Sequence, residues 1–460
     1  MDDKINQAAD GLRKASRVRV IEPADTPVSD SRRRLLRAAL NGVALPTAAY
    51  CLLGNTPRQA EAAEAATLHP ASPGTTGRVV RDFRDPYIEL LRLLHQAAEV
   101  EHALMIQYLY GSFSLKPAYA QVAGFGAPNS NDLLGVAIME MQHLGKVNQL
   151  LVALGAAPTL IREDFPYEPE IYPFRFNLEP LSRQSLAKYV WTEAPIGATN
   201  VRNAKTAEDR KFCEELNVAL GSATRPNYVG SLYDAVIGSV QELMATHDRQ
   251  LPDLEPWVEA LRKIKEDGEV GHYQFFRRVF LGTHEGFGSG PNVWSVLPTD
   301  ARYPSFALPV NPTAYVGHDN EIRDPAAQGL AWLGDLHYWV LLSLLSTGYK
   351  QGSQEHIALA RGHMMGPFWS LARKLSAMGS GMPFDPLSLG YAPGATREAN
   401  SRLLSRLLSE ADAVEKQLGA LLPSDFPTDF CRTTQSALLD LESKSKTACA
   451  PSLPWDDGLA

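Results

Sequence analysis

Two short motifs carry the chemistry this chain could do. Glu140-Met-Gln-His143 and Glu269-Val-Gly-His272 each place a carboxylate and an imidazole three residues apart. On an α-helix that spacing puts both groups on one face, one turn apart. The first pair shares its row with Leu133, Val136, Ala137, Leu144, Val147 and Leu151. The second sits near Leu261, Phe275, Phe276 and Val279. Upstream of each lies a single acid on another apolar row. Glu101 stands among Leu94, Ala97, Ala98, Leu104, Met105 and Tyr108, and Asp234 stands near Val229, Leu232, Tyr233 and Ile237. Glu242 is the alternative to Asp234. A buried carboxylate without a partner is costly and is relieved by a proton or a cation. Two such pairs plus two lone acids make the ligand set of a dinuclear metal centre inside a four-helix bundle. Oxygen and imidazole donors suit iron, and manganese as an alternative; with no thiolate in the set, a soft metal is disfavoured.

Those residues need helices to hold them. Apolar residues recur at three-to-four spacing over 86–112, 131–154, 228–247 and 254–281, which predicts four helices. Glu101 to Glu140 is 39 residues and Asp234 to Glu269 is 35, as in a repeated helical hairpin. Residues 156–226, rich in Pro, Tyr and Phe, read as an insertion between helices two and three, with one helical stretch near 182–191. Residues 282–318 read as loop. Helices are expected again over 322–349, 353–379 and 396–420. Asp335 and His337 interrupt the apolar run from Leu330 to Leu345, so it reads as a buried helix and not a membrane span. Paired alternating strands are missing. The class is all-α, with a bundle over 85–281 and a helical C-terminal region over 319–460.

Composition sets the outer limits. The 460 residues are 45% hydrophobic and 21% charged, an ordinary globular balance. A net charge of −8 argues against a nucleic-acid partner. Four cysteines, none in a CxxC pair, exclude a disulfide-dense scaffold and a cysteine-based zinc cluster. Cys431 and Cys449 are close enough in sequence to pair in an oxidising compartment, or to stay free.

The N-terminus reads as an address. Ser31-Arg-Arg-Arg-Leu-Leu-Arg37 precedes an apolar stretch from Ala38 to Gly54 and the small-x-small site Ala60-Glu61-Ala62. Basic, apolar and cleavage regions in that order make an export signal. The run resembles the twin-arginine pattern, with Leu35 and Arg37 as mild departures. Residues 1–62 are therefore expected to be removed, 63–84 to be a linker, and the protein to be exported to the periplasm.

The metal-site residues also carry a family resemblance. Glu101-His-Ala-Leu-Met-Ile-Gln-Tyr108 is similar to the first-helix pattern of ferritin-like diiron proteins, and Glu140-Met-Gln-His143 to their second-helix motif. More narrowly, the chain resembles the iminophenyl-pyruvate dimer synthase family over roughly 83–390. Ala98-Glu-Val-Glu-His102, Leu151-Val-Ala-Leu-Gly155-Ala-Ala-Pro158, Leu178-Glu-Pro-Leu-Ser182, Val229-Gly-Ser-Leu-Tyr233-Asp-Ala and Met364-Met-Gly-Pro367 carry it. The resemblance implies a ferritin-like bundle with a helical extension. It also implies two iron ions held by Glu101, Glu140, His143, Asp234, Glu269 and His272, Asp234 standing where the family has Glu. Tyr108, if near the metals, would be the catalytic residue as a redox relay, or a hydrogen-bond partner behind the ligands, or else a core tyrosine. The implied activity is an oxidase or oxygenase using O2 on a small organic, amino-acid-derived substrate, and a homodimer is compatible with it. Two other readings stand beside it: a ferroxidase or metal-handling protein without organic substrate, and a metal-free helical binding protein.

Overall fold

The computed structural model describes residues 79, 81–161, 174, 177–221, 228–246, 250–386 and 396–447. The expected export signal, nearly all of the linker, Cys449 and most aromatic residues of 165–176 lie outside the described residues.

The described chain is helical, with isolated bridges but no strand. Helix α1 (Pro86–Ser114) starts at Asp85, whose carboxylate accepts from the amides of Tyr87 and Ile88. Pro86 at its first position needs no hydrogen-bond partner there. Helix α2 (Leu133–Ala153) starts at Asp132 in the same way, through Gly135 N. Helix α3 (Arg183–Glu193) opens on a reciprocal Ser182–Ser185 cap and stops just before Pro195. Next come α4 (Ala207–Ala219) and α5 (Val229–Ala245). Helix α6 (Glu255–Glu266) passes through a π-turn, Asp267–His272, into α7 (Tyr273–Leu281).

Helix α1 packs on α2 and α5, α3 packs on α7, and α5 packs on α6. The expected third wall, α5, thus covers the bundle beside α1. Helix α3, from the segment read as an insertion, packs on α7 and also meets α5. Its inward row explains this: Leu186, Tyr189 and Val190 are all buried.

The C-terminal region begins with α8 (Pro325–Gln351), capped by Asp324 and buried along its length, as expected. The helix predicted over 353–379 forms as α9 (Gln354–His363) and α10 (Trp369–Ala377), joined by a π-turn at Met364–Phe368. Pro367 lies in that turn, where its missing N–H breaks the regular ladder. Helices α11 (Arg397–Leu418) and α12 (Phe430–Thr447) follow, α11 packing on both α8 and α12. Helix α8 also meets α2, and α10 meets α1. Covered on these sides, α1 is buried almost all round. The face of Gln96 and His102, which reads as surface in the sequence, is therefore interior. His102 Nε2 lies 2.6 Å from the Tyr338 hydroxyl of α8. No helix among the described residues is long and apolar enough to cross a membrane.

Candidate metal centre

Five buried side chains converge inside the bundle: Glu101 from α1, Glu140 and His143 from α2, Glu193 from the end of α3, and His272 from the π-turn. Their donor atoms form two groups, Glu101–Glu140–His143 and Glu140–Glu193–His272, each within 4.8 Å internally. Glu140 belongs to both. Its Oε2 lies 3.0 Å from His143 Nδ1, and its Oε1 lies 2.8 Å from His272 Nδ1. Glu101 Oε2 is 3.5 Å from His143 Nδ1, and Glu193 Oε2 is 3.7 Å from His272 Nδ1.

Several of these atoms are buried without a hydrogen bond: Glu101 Oε2, Glu140 Oε1 and both nitrogens of His272. The close His272–Glu140 contact is misaligned for one, so the groups point at shared space rather than at each other. Buried polar atoms are normally satisfied, and exceptions call for a reason. Three carboxylates and two imidazoles arranged in this way are a donor set that could hold metal.

The electrostatics show how much the cluster depends on positive charge. Burial and the Glu140 charge push Glu101 up to about 8. Burial and Glu140 also raise Glu193. Burial alone would raise Glu140, but His272 and His143 outweigh it and hold Glu140 well below the carboxylate range. His272 is driven up to about 10 against its burial, by Glu140 and then Glu193. Glu140 therefore depends on the two imidazoles, while its charge and burial raise Glu101 and Glu193.

A second layer orients the first. The Tyr233 hydroxyl donates to Glu101 Oε1, and the Tyr108 hydroxyl donates to Glu193 Oε1. Tyr108, the expected catalytic residue, thus contacts the cluster through Glu193. It packs on Tyr189 and Phe276, with ring centroids 4.8 and 4.7 Å away. His143 Nε2 lies 3.6 Å from Asp267 Oδ2, and Asp267 in turn takes Lys263 Nζ at 2.8 Å. Two glycines make room for carboxylates. A Cβ on Gly268 would stand 2.8 Å from Glu193 Oε2, and one on Gly230 would stand 2.1 Å from Glu269 Oε1.

One expected ligand, Asp234, is placed elsewhere, and Glu269 stands outside the two donor groups. Asp234 is 51% exposed, and both its oxygens bind Lys265 Nζ, at 2.6 and 2.8 Å. It follows Tyr233, and it is Tyr233 that points inward. The alternative, Glu242, is 53% exposed and pairs with Arg81. Glu269 lines the same cleft but is 21% exposed, with Lys265 Nζ 3.8 Å away. The π-turn explains this offset. With i→i+5 bonding, a face recurs after four to five residues, so residues three apart no longer align. The cleft is lined from the cluster to Tyr233 and Glu269. Trp191 packs on Tyr228 rather than lining it.

Glu193 is the ligand candidate that sequence reasoning missed. The signal was present: it continues the inward row of Leu186, Tyr189 and Val190, the criterion that singles out Glu101. Ending the helix at 191 left it out.

Comparison with known proteins agrees with this architecture. Residues 94–266 match the family model described as Ferritin-like. That stretch holds Glu101, Glu140, His143 and Glu193 and ends before the π-turn. Dichlorochromopyrrolate synthase from Lentzea aerocolonigenes is 24% identical over 336 residues, 60% of this chain. The match spans only 32% of that protein's length. No solved structure matches the chain. The fold is a ferritin-like helical bundle with a helical C-terminal region.

Proposed function

We propose that the chain is a ferritin-like oxidase or oxygenase with a dinuclear iron centre, acting with O2 on a small organic, amino-acid-derived molecule. The observation that supports it best is the pair of buried three-residue groups sharing Glu140. Glu101, Glu140 and His143 would hold one ion, and Glu140, Glu193 and His272 the other, with manganese as the alternative metal. Such a centre supplies electron uptake from a substrate and activation of O2. The distant relative's name, a synthase of dichlorochromopyrrolate, supports a small-molecule substrate.

The chain's own residues have distinct tasks. Tyr233 and Tyr108 fix which oxygens of Glu101 and Glu193 remain for the metals. Asp267 draws the His143 Nε2 proton outward, leaving Nδ1 to face the cluster. Lys265 stands at the cleft between Asp234 and Glu269, where a substrate carboxylate would meet it. The packed aromatic rings of Tyr108, Tyr189 and Phe276 keep bulk water from the inner side.

Metal analysis of the purified protein should give about two iron ions per chain. Oxygen uptake should depend on an added amine or imine derived from an amino acid. Metal bound without such uptake would favour metal handling, and unchanged metal content in both Glu140→Ala and Glu193→Ala would sink the centre itself. The proposal includes export to the periplasm, supported by Ser31–Arg37, the apolar 38–54 stretch and Ala60-Glu61-Ala62. Replacing Arg32 and Arg33 by lysine should leave the protein in the cytoplasm.

A further inference from the structure

A second buried polar cluster lies in the C-terminal region, beyond the stretch that matches the ferritin-like model. His337 of α8, Glu415 of α11 and Cys431 of α12 bring their donor atoms within 4.8 Å of one another. His337 is 0% exposed, Cys431 1% and Glu415 6%. His337 Nε2 lies 3.4 Å from Glu415 Oε1, and Cys431 Sγ lies 3.1 Å from that same oxygen. Although fully enclosed, His337 Nε2 has no hydrogen bond. Its other nitrogen is engaged: Nδ1 lies 3.1 Å from His363 Nδ1, and His363 Nε2 lies 3.0 Å from Thr434 Oγ1.

We infer that His337, Glu415 and Cys431 form a mononuclear site for zinc or a similar borderline divalent cation. Metal–nitrogen and metal–oxygen bonds near 2.0 Å and metal–sulfur bonds near 2.3 Å put tetrahedral ligands about 3.3 to 3.5 Å apart. The His337–Glu415 separation of 3.4 Å matches the nitrogen–oxygen edge, and the Cys431–Glu415 separation of 3.1 Å, a thiol hydrogen bond, would open by about 0.4 Å when the ion replaces the proton. One of the two proton arrangements this chain of contacts allows suits a metal. In it, His337 Nδ1 donates to His363 Nδ1, and His363 Nε2 donates to Thr434, which leaves the His337 Nε2 lone pair facing Glu415 and Cys431. Ligating histidines are typically held this way through their second nitrogen. The second oxygen of Glu415, or one water, completes four-coordination.

Binding breaks the Cys431 Sγ–H bond and forms a sulfur–metal bond, and the proton goes to solvent. No electron moves. The thiolate and the Glu415 carboxylate together balance the divalent charge. Because the three ligands come from α8, α11 and α12, the ion would tie the last two helices to the C-terminal core. A site with sulfur is also chemically unlike the all-oxygen-and-nitrogen cluster in the bundle.

That difference supplies the test. The full chain is stripped with chelator and reloaded with Co2+. Wild type and Glu140→Ala should both show a sulfur-to-cobalt charge-transfer band, and Glu140→Ala should keep about one cobalt per chain. Cys431→Ala should lose the band and one equivalent of metal. Absence of the band in wild type, or its survival in Cys431→Ala, would overturn the site. A measurement independent of Cys431→Ala folding is zinc calorimetry on stripped Glu140→Ala in buffers of different ionisation enthalpy. About one proton should leave per zinc bound, and a count near zero would also overturn the assignment.

Discussion

The two Glu-x-x-His turns are alike in sequence and unlike in the folded chain. In α2 both members face the cluster: Glu140 and His143 are buried, 3.0 Å apart. In the second, His272 is buried against Glu140, while Glu269 stands at the cleft, partly exposed beside Lys265. The difference is helical register. The first motif sits in regular α-helix and the second in a π-turn. A motif's spacing thus fixes a shared face only when the hydrogen-bond pattern is known. One half of the cluster is buried, and the other keeps a carboxylate at the entrance. π-Turns are common at functional sites for this kind of displacement.

The comparison breaks most severely at Glu140, the residue both halves share. Glu140→Ala should remove both ions and reduce oxygen uptake by more than the ~100-fold that follows loss of an outer partner. Atomic absorption and an oxygen electrode read this directly. Loss of one ion only would mean the halves are independent. Next in size is a contrast between two acids. Glu193→Gln should lose one ion per chain, whereas Asp234→Asn, which alters an exposed contact to Lys265, should keep both. The reverse outcome would restore the sequence-based choice of third-helix ligand.

Smaller effects are expected at Glu269. If this carboxylate serves the entrance, Glu269→Gln should retain both ions and cost roughly 10- to 100-fold in metal affinity or turnover. Gly230→Ala should produce part of that loss without touching a charge, because its Cβ would meet Glu269 Oε1 at 2.1 Å. Equal metal loss in Glu269→Gln and Glu140→Ala would show the two turns to be equivalent after all.

How much of this was legible in the sequence follows from the same contrast. The helices and the inward positions of Glu101, Glu140, His143 and His272 can be read from apolar rows. Register within a helix was not legible: nothing in Asp267-Gly-Glu-Val-Gly-His272 announces a π-turn, although its two glycines weaken the regular ladder. The inward row of Leu186, Tyr189 and Val190 points to Glu193 as well, once the helix is carried past 191. The buried face of His102 depends on Tyr338, 236 residues away, a distance that local periodicity cannot span.

The finest distinction lies in the two tyrosines. Tyr233 donates to Glu101 in the buried half, and Tyr108 donates to Glu193 beside the π-turn. Either Tyr→Phe change removes one hydrogen bond and should cost about 1 kcal/mol of stability, visible in a denaturant midpoint. If both tyrosines only position carboxylates, the two variants should bind metal slightly less well and lose activity to the same small degree. If Tyr108 also relays electrons, Tyr108→Phe should lower turnover well beyond its effect on metal affinity. Tyr233→Phe should not. Metal titration and turnover measured together separate positioning from relay, because the two roles have the same structural signature and different kinetic ones.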